Sequence, residues 1–472
     1  MTDVIIIGAG PGGLTLGAEL AARGISCKIF EKRLTRSVAS RAIGLLPHTL
    51  ELLETRDLSN IFIKQGLIIE QVPLGNGQSL NLNCLSSDTK FPFMLSIPQN
   101  KTEALLEDWA LKMGVEIVKG VELIDLEQND NEVFISLSAQ DRIWKESAKY
   151  VVGSDGKNST VRDLLGIKSK EKNYGKVLMH GDVKLRSFEK DAVFAKISKQ
   201  GMIAAFPLPN NYHRVLILDH KKMAGIVQRE VDLDDFKESA ERLAQRNIGI
   251  DEPLWLSSFN TQQKHASNYR INRVFLLGDA AHTHIPAGGQ GLQSAIEDAF
   301  NLGWKLANSL NNKSNESLLN TYERERKQIA TKAMIKSRWL FRYEVSTSIW
   351  SYVIRKCMAR IALISIFQKQ VLRSLSGLTN YYKPSSKASH YLIGRSVLNN
   401  HLCYHSGAIV EIRDILKQRK SILLSDFGSH EFDYENQTYY MEDSECVHGF
   451  FYENPSIISM IIRPDGIVAW VK

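Results

Sequence analysis

Three short segments of this chain are built on glycines, the second and third with an aspartate among them: Gly8-Ala9-Gly10-Pro11-Gly12-Gly13, Gly153-Ser154-Asp155-Gly156 and Gly278-Asp279-Ala280-Ala281-His282. Glycine lets backbone N–H groups approach an anion that a Cβ would hold away, and a nearby carboxylate accepts hydrogen bonds from sugar hydroxyls. The chemistry these residues support is the grip of an elongated, phosphorylated and ribose-bearing ligand.

Each segment needs an element to carry it. Asp3 to Ile7 is a β-branched run. It is followed by the first glycine turn, a helical pattern from Leu14 to Arg23, Gly24, and a second apolar strand from Cys27 to Phe30. This βαβ order gives each glycine a task. Gly8 makes the tight turn, Gly10 lets the backbone close on a pyrophosphate, and Gly13 packs the helix on the strand, with the helix N-terminus facing the phosphates. Glu31, with Arg33 beside it, ends the second strand where an acidic residue takes both ribose hydroxyls and disfavours a 2′-phosphate. That unit alone reads as a site for FAD or NAD.

Tyr150 to Val152 is another apolar strand entering the turn that carries Asp155, with a helix capped by Asn158 or Ser159. Arg162 is expected to pair with a diphosphate there. Arg273 to Leu277 is a buried strand that delivers Gly278 and Asp279. It leads into Ile285-Pro286-Ala287-Gly288-Gly289-Gln290-Gly291-Leu292 and a helix from Gln293 onward. Main-chain N–H groups of Gly289, Gly291 and Leu292 at that helix start suit a flat ring that develops negative charge, as reduced flavin does. The three segments in this order point to FAD.

Length and composition bound the setting. The 472 residues allow about three domains. The 43% hydrophobic and 24% charged residues are ordinary globular values. The net charge of +7 favours anionic ligands and is read as dispersed, so nucleic-acid binding is not expected. The five cysteines are widely spaced, without a CxxC pair or a His/Cys ligand pattern, which predicts reduced thiols, no metal and a cytoplasmic protein. Arg355, Lys356 and Arg360 interrupt the apolar region from Val345 to Gln368, so no transmembrane segment is expected; attachment to a membrane surface is the minor alternative to a buried helix pair.

The motifs resemble those of the class A flavoprotein monooxygenases, the single-component FAD aromatic hydroxylases related to para-hydroxybenzoate hydroxylase. The resemblance extends over residues 2 to about 330. It is supported by the segment from Ser40 to Leu45, in which Arg41 resembles an arginine lying along the FAD. Gln99 and Glu103 resemble a Gln-x-x-x-Glu pair whose glutamine touches the cofactor. Phe206-Pro207-Leu208 with His213-Arg214-Val215 resembles a strand pair of the substrate domain, which makes Phe206 and Arg214 substrate candidates. The closing Ile462 to Trp470 stretch resembles the terminal hairpin of the thioredoxin-like domain in the phenol, rifampicin and aromatic-polyketide branch. Gln293 stands where many relatives have asparagine, and Ala295 where they have glycine.

The resemblance implies an α/β protein with a Rossmann-like FAD-binding domain of the glutathione reductase type, a β-rich substrate domain and a small C-terminal thioredoxin-like domain. The expected boundaries are 1–72, 98–176 and 264–325 for the FAD domain, and 73–97 with 177–263 for the substrate domain. A helical connection over 326–392 and the terminal domain over 393–472 complete the chain. The implied reaction is NAD(P)H- and O2-dependent hydroxylation of an aromatic substrate through a flavin C4a-hydroperoxide, by a monomer or homodimer. Pro286 and Gly289 would form the flavin wall through their backbone, and Asp279 would contact the ribityl chain. In the resembling motif the position of His282 serves the strand-to-loop structure, so neither His282 nor His284 is assigned a catalytic role. A non-oxygenating FAD oxidoreductase such as a prenyl reductase, or a flavin-binding protein without turnover, is the alternative; a flavin halogenase lacks the Trp-x-Trp pair.

Overall fold

The computed structural model describes residues 2–472 apart from 39, 41, 76, 141, 190–192, 223–230, 313–315, 348–356, 358, 385–389, 426–443 and 458. Arg41 therefore lies outside the described residues.

The apolar N-terminal run becomes the Thr2–Ile7 strand, at the centre of an eight-stranded sheet. Arg142–Gly153 pairs with it in parallel on one side and Cys27–Glu31 on the other. Val274–Leu276 extends the sheet beyond Arg142–Gly153, and Glu116–Lys119 beyond Cys27–Glu31, both in parallel. A strand buried on both faces must be apolar throughout; Val4, Ile5 and Ile6 are fully buried, as are Val151, Val152, Phe275 and Leu276. Val133–Ala139 and Glu122–Gln128 continue the sheet in antiparallel fashion.

The Pro11–Ala21 helix starts as soon as the glycine turn ends, because Pro11 is preset for a first helical position and its missing N–H costs no hydrogen bond there. It packs against the long Gln290–Asn312 helix. Close approach of the two requires Gly303, where a Cβ would meet Glu19 Cβ at 2.9 Å.

A second, six-stranded sheet runs in the order Phe194–Ser198, Gly201–Leu208, Tyr212–Asp219, Ser169–Leu185, Ile250–Ala266, His282–Thr283. In it Phe206 pairs with Arg214 and Pro207 with His213. Its last strand leads directly into the glycine loop, so this sheet and the loop are covalently coupled. The Leu233–Ala244 helix covers one face through Phe236, Ala240 and Leu243.

A third sheet, also six-stranded, uses residues from His401 to Val471. All its neighbouring strands are antiparallel except Ser421–Ser425 with Ser444–Phe451. The Glu316–Val345 helix touches this sheet through Leu318, packed with Leu423 and Ile461, and the first one through Tyr322, which donates to Leu276 O. Arg463 donates to both carboxylate oxygens of Glu325, at 2.8 and 3.0 Å, and all but 4% of its side chain is buried. Among the described residues no helix is long and apolar enough to cross a membrane.

Candidate functional site

The three glycine segments, whose first glycines Gly8 and Gly278 are 270 residues apart in sequence, come together at one end of the sheet. Ile7 is paired with Gly153, and Gly153 with Leu276, so all three loops leave the carboxyl ends of adjacent parallel strands. This is where open parallel sheets bind ligands. Ser154 N donates to Ile7 O at 2.7 Å and Leu277 N to Gly153 O at 2.9 Å, which fixes the loops to one another.

The glycines divide by what surrounds them. A Cβ on Gly8, whose φ is +106°, would lie 2.4 Å from Ser154 O, and one on Gly13 would lie 2.1 Å from Gly8 O. These two glycines are demanded by packing. Gly10 differs: its Cβ would meet nothing within 4 Å, and as the N-cap of the Pro11–Ala21 helix it offers no side chain to the first helical N–H groups. The cradle above Gly10 therefore fits a diphosphate, which would take up those donors.

Glu31 is buried at the next strand end. One carboxylate oxygen accepts from Ala9 N at 2.8 Å, the other from Arg33 N and Nε at 3.0 and 2.8 Å. Burial alone would raise the Glu31 carboxyl, but these donors hold it below its ordinary range. It remains an anion beside the glycine turn, as ribose recognition requires.

Asp155 supplies a second test of fit. Its Oδ2 accepts from Val161 N at 3.1 Å, while Oδ1 is buried with no hydrogen-bond partner, and burial pushes its carboxyl up. A hydroxyl donor from a bound ligand would satisfy that orphan acceptor. The helix beyond it is Thr160–Leu164, capped by Ser159, whose side chain accepts from Arg162 N. Arg162, expected to reach a diphosphate, is instead buried and donates to Lys157 O and Ala280 O, so it ties the second glycine segment to the third.

The third segment is a single turn of 3-10 helix, Gly278–Ala280, and leaves Asp279 half-exposed. A Cβ on Gly291 would stand 3.9 Å from Asp279 Oδ1, so Asp279 and the glycine loop share one site. The long helix begins at Gln290, three residues earlier than expected from the sequence, because Gly291 and Leu292 take helical conformations once Gly288 and Gly289 (φ +80° and +61°) have turned the chain. Pro286 and Gly289 are exposed, and Gly289 N donates to Pro286 O. Ile285 and Ala287, on either side of Pro286, are buried with Met202, Ala204 and Phe341, and Phe206 packs against the same cluster.

Two residues that depart from the family pattern prove structural. Gln293 Nε2 donates to Gly44 O at 2.8 Å and its Oε1 accepts from Leu46 N at 3.3 Å, so one side chain joins the loop helix to the 44–46 segment. Ala295 Cβ would be 3.3 Å from a Cβ on Gly12 and 3.0 Å from one on Gly278. It is the contact surface for two glycine loops at once. Gln99 works the same way on the other flank: its Oε1 accepts from Ala42 N at 3.1 Å and its Nε2 donates to Glu103.

Arg214, a substrate candidate from the sequence, is fully buried. It forms an ion pair with Asp182 and donates to Ala42 O at 3.2 Å. Its charge is committed to holding the second sheet against the 40–45 segment rather than to a cavity border.

Sequence reasoning missed a buried polar cluster behind the loop. Asp298 accepts from Gly278 N at 3.0 Å, bonds His282 Nε2 at 2.7 Å and pairs with Arg326. His282 Nδ1 in turn contacts His284 Nε2 at 3.0 Å. Burial alone would raise the Asp298 carboxyl, but Arg326 and His282 hold it down at about 2; burial and His282 lower His284 to about 3, keeping it neutral. Asp298, with His282 against it, thus fixes the backbone of the third segment.

A family described as FAD binding domain matches residues 1–337. The chain belongs to this family, among the class A flavoprotein aromatic hydroxylases. It is 30% identical to rifampicin monooxygenase of Streptomyces venezuelae over 477 residues, covering all of this chain and 95% of that one. Among solved structures it resembles the OxyS anhydrotetracycline hydroxylase of Streptomyces rimosus, with a TM-score of 0.85 and 28% identity over 99% of this chain and 95% of that one. It also resembles CabE, an aromatic hydroxylase from angucycline biosynthesis, with a TM-score of 0.86 and 25% identity over all of this chain and 96% of that one. The cofactor of this class A chain is FAD, and the glycine cradle, Glu31 and the orphan Asp155 oxygen suit it.

Proposed function

We propose that this chain is an NAD(P)H- and FAD-dependent monooxygenase that places one atom of O2 on an electron-rich aromatic ring, phenolic, polyketide or antibiotic-like. The observation that carries the reading is the convergence of three glycine loops on the carboxyl ends of adjacent parallel strands, in a chain matched along its length by named monooxygenases. Bound FAD supplies transfer of two electrons from the nicotinamide to oxygen.

The chain's own residues then have distinct tasks. Gly10 with the first helix N-terminus holds the pyrophosphate, on a turn that Gly8 and Gly13 allow to close; Glu31, supported by Arg33, accepts the adenosine ribose hydroxyls; Asp155, Gly278 and Asp279 meet the ribityl and phosphate portion. Gln99 flanks the cofactor from the opposite side, and Arg41, outside the described residues, is assigned to the cofactor by the family resemblance alone. Pro286 and Gly289 wall the ring, and Gly291 and Leu292 present backbone N–H groups at the helix start, where they support negative charge on it. Phe206 and the apolar residues around Ile285 and Ala287 keep water from the reacting face.

The proposed division is residues 1–72, 98–176 and 264–325 for FAD, 73–97 and 177–263 for substrate, and 326–392 as a helical connection. A thioredoxin-like terminal domain over 393–472, lacking a CxxC pair, has a packing role there. The test is to purify the FAD-loaded protein and screen aromatic compounds for faster NADPH or NADH oxidation, oxygen uptake and a product heavier by one oxygen atom. Colourless protein that refuses added FAD, or nicotinamide oxidation that never yields an oxygenated product, overturns the reading.

A further inference from the structure

The positive charge of this chain is not dispersed. Residues 345–410 contain Arg355, Lys356, Arg360, Lys369, Arg373, Lys383, Lys387 and Arg395 and no aspartate or glutamate. Removing these 8 from the 59 Lys and Arg of the whole chain leaves 51 against 52 Asp and Glu, so the entire excess of +7 sits in this one stretch. The expectation of evenly spread charge is corrected by that count.

The same stretch carries an exposed apolar ridge. Ile361, Leu363, Ile364, Ile366, Phe367 and Val371 are all exposed, Ile366 by 81%. They lie on residues 361–364 and on the Ser365–Leu375 helix, whose other face is anchored by Leu372 against Leu80, Leu82 and Leu85. On that helix Ile366, Phe367, Gln370 and Val371 share one face by their spacing. Lys369 and Arg373 flank it and share Asp88 of the underlying segment, and Arg360 is exposed beside the ridge. A folded protein rarely leaves so many large apolar side chains together in water.

We propose that this ridge docks on the surface of an anionic phospholipid bilayer, with the apolar side chains entering the headgroup boundary and the basic residues meeting lipid phosphates. Charge decides between this occupant and a second copy of the chain. A two-fold contact would set the ridge against itself, bringing Arg360, Lys369 and Arg373 of one copy, three cations beside the carboxylate of Asp88, against the same groups of the other. An anionic bilayer removes that repulsion and accepts both the apolar and the basic side chains. The helix is too short and too interrupted to cross the bilayer, so the attachment is superficial.

The test uses the full-length FAD-loaded protein and sedimentation with vesicles of phosphatidylcholine alone or mixed with phosphatidylglycerol. Binding is expected only to the phosphatidylglycerol vesicles, falling as salt is raised. The double variant Ile366→Glu/Phe367→Glu should bind about tenfold more weakly or worse while its flavin absorbance and thermal unfolding stay those of the parent. If the double variant loses FAD, Ile366→Glu alone replaces it, since that side chain is the most exposed of the ridge. Equal partition to both vesicles, no partition to either, or parental binding by the variants overturns the proposal. Concentration-dependent dimers without lipid that the variants abolish would assign the ridge to self-association instead.

Discussion

At the scale of single residues, the glycines of the first loop separate a folding requirement from a binding requirement. Gly13 lies under Gly8 O, where no Cβ fits, whereas Gly10 has ordinary φ of −78° and open space above it. Gly13→Ala is expected to cost about 1–3 kcal/mol or more of stability, seen as a lower urea midpoint even without FAD. Gly10→Val should leave the apoprotein's midpoint unchanged and weaken FAD binding about tenfold or more, read by flavin fluorescence titration. Equal effects of the two substitutions on the apoprotein would contradict the assignment. The buried Asp298 gives a second residue-scale outcome. Its carboxyl is held at about 2 against an ordinary 3.8 by Arg326 and His282, despite burial. A depressed carboxyl contributes stability above its unfolded pKa and loses it on acidification, so this contribution, on the order of 2 kcal/mol, is full above about pH 4 and fades as the pH falls through about 2. In Asp298→Asn the acid limb of a stability-against-pH curve should flatten over that window, on a protein already weakened at neutral pH because Arg326 loses Asp298 and keeps Glu297 as its carboxylate partner.

Elements are joined by side chains whose partners are distant in sequence, and this is where sequence reasoning ran short. The glycine loops could be read in advance because only glycine tolerates their close approaches, and the strands before them because burial on both faces demands an apolar run. Gln293 carried no such signal: its role depends on Gly44 and Leu46, 247 and more residues away along the chain. Arg214 looked available for substrate because nothing in its own strand predicts Asp182, and the helix start at Gln290 was hidden by the glycines that open it. Gln293→Leu should cost about 1–3 kcal/mol by leaving Gly44 O and Leu46 N without that partner, and should speed FAD release, because the loop helix would no longer be tied to the 44–46 segment. Stopped-flow loss of flavin fluorescence quenching measures the second effect. Arg463 is the corresponding tie for the terminal sheet. It satisfies Glu325 and Asp465 together, and Glu325 is held well below its ordinary range because the charges of Arg463 and Lys305 outweigh burial. Arg463→Leu would leave buried Asp465 without its cation and Glu325 with Lys305 and Asn301 in place of three partners, at a cost of about 3 kcal/mol, and limited proteolysis should then cut between residues 393 and 472 before the rest of the chain.

For the whole molecule, the site has no single segment that could bind FAD alone. Residues 8–13, 153–156 and 278–292 belong to stretches separated by much of the chain, yet their strands are hydrogen-bonded neighbours and their helices pack on one another. Folding must bring them together before the cofactor is gripped, so the unfolded chain has little affinity for FAD. Binding to the native state alone then raises stability by mass action, by about 2.7 kcal/mol when free FAD exceeds its dissociation constant a hundredfold. Removing FAD should therefore lower the unfolding temperature of the entire chain, and adding it back should raise that temperature in proportion to the logarithm of its concentration. Because Arg463 and Glu325 couple the terminal sheet to the Glu316–Val345 helix, the far-ultraviolet signal of the whole chain and the fluorescence of Trp470 in that sheet should shift together on FAD addition. An FAD-dependent shift of the far-ultraviolet transition that leaves the Trp470 transition in place would show the terminal sheet to be an independent unit, and would leave the Arg463 contact without its proposed role.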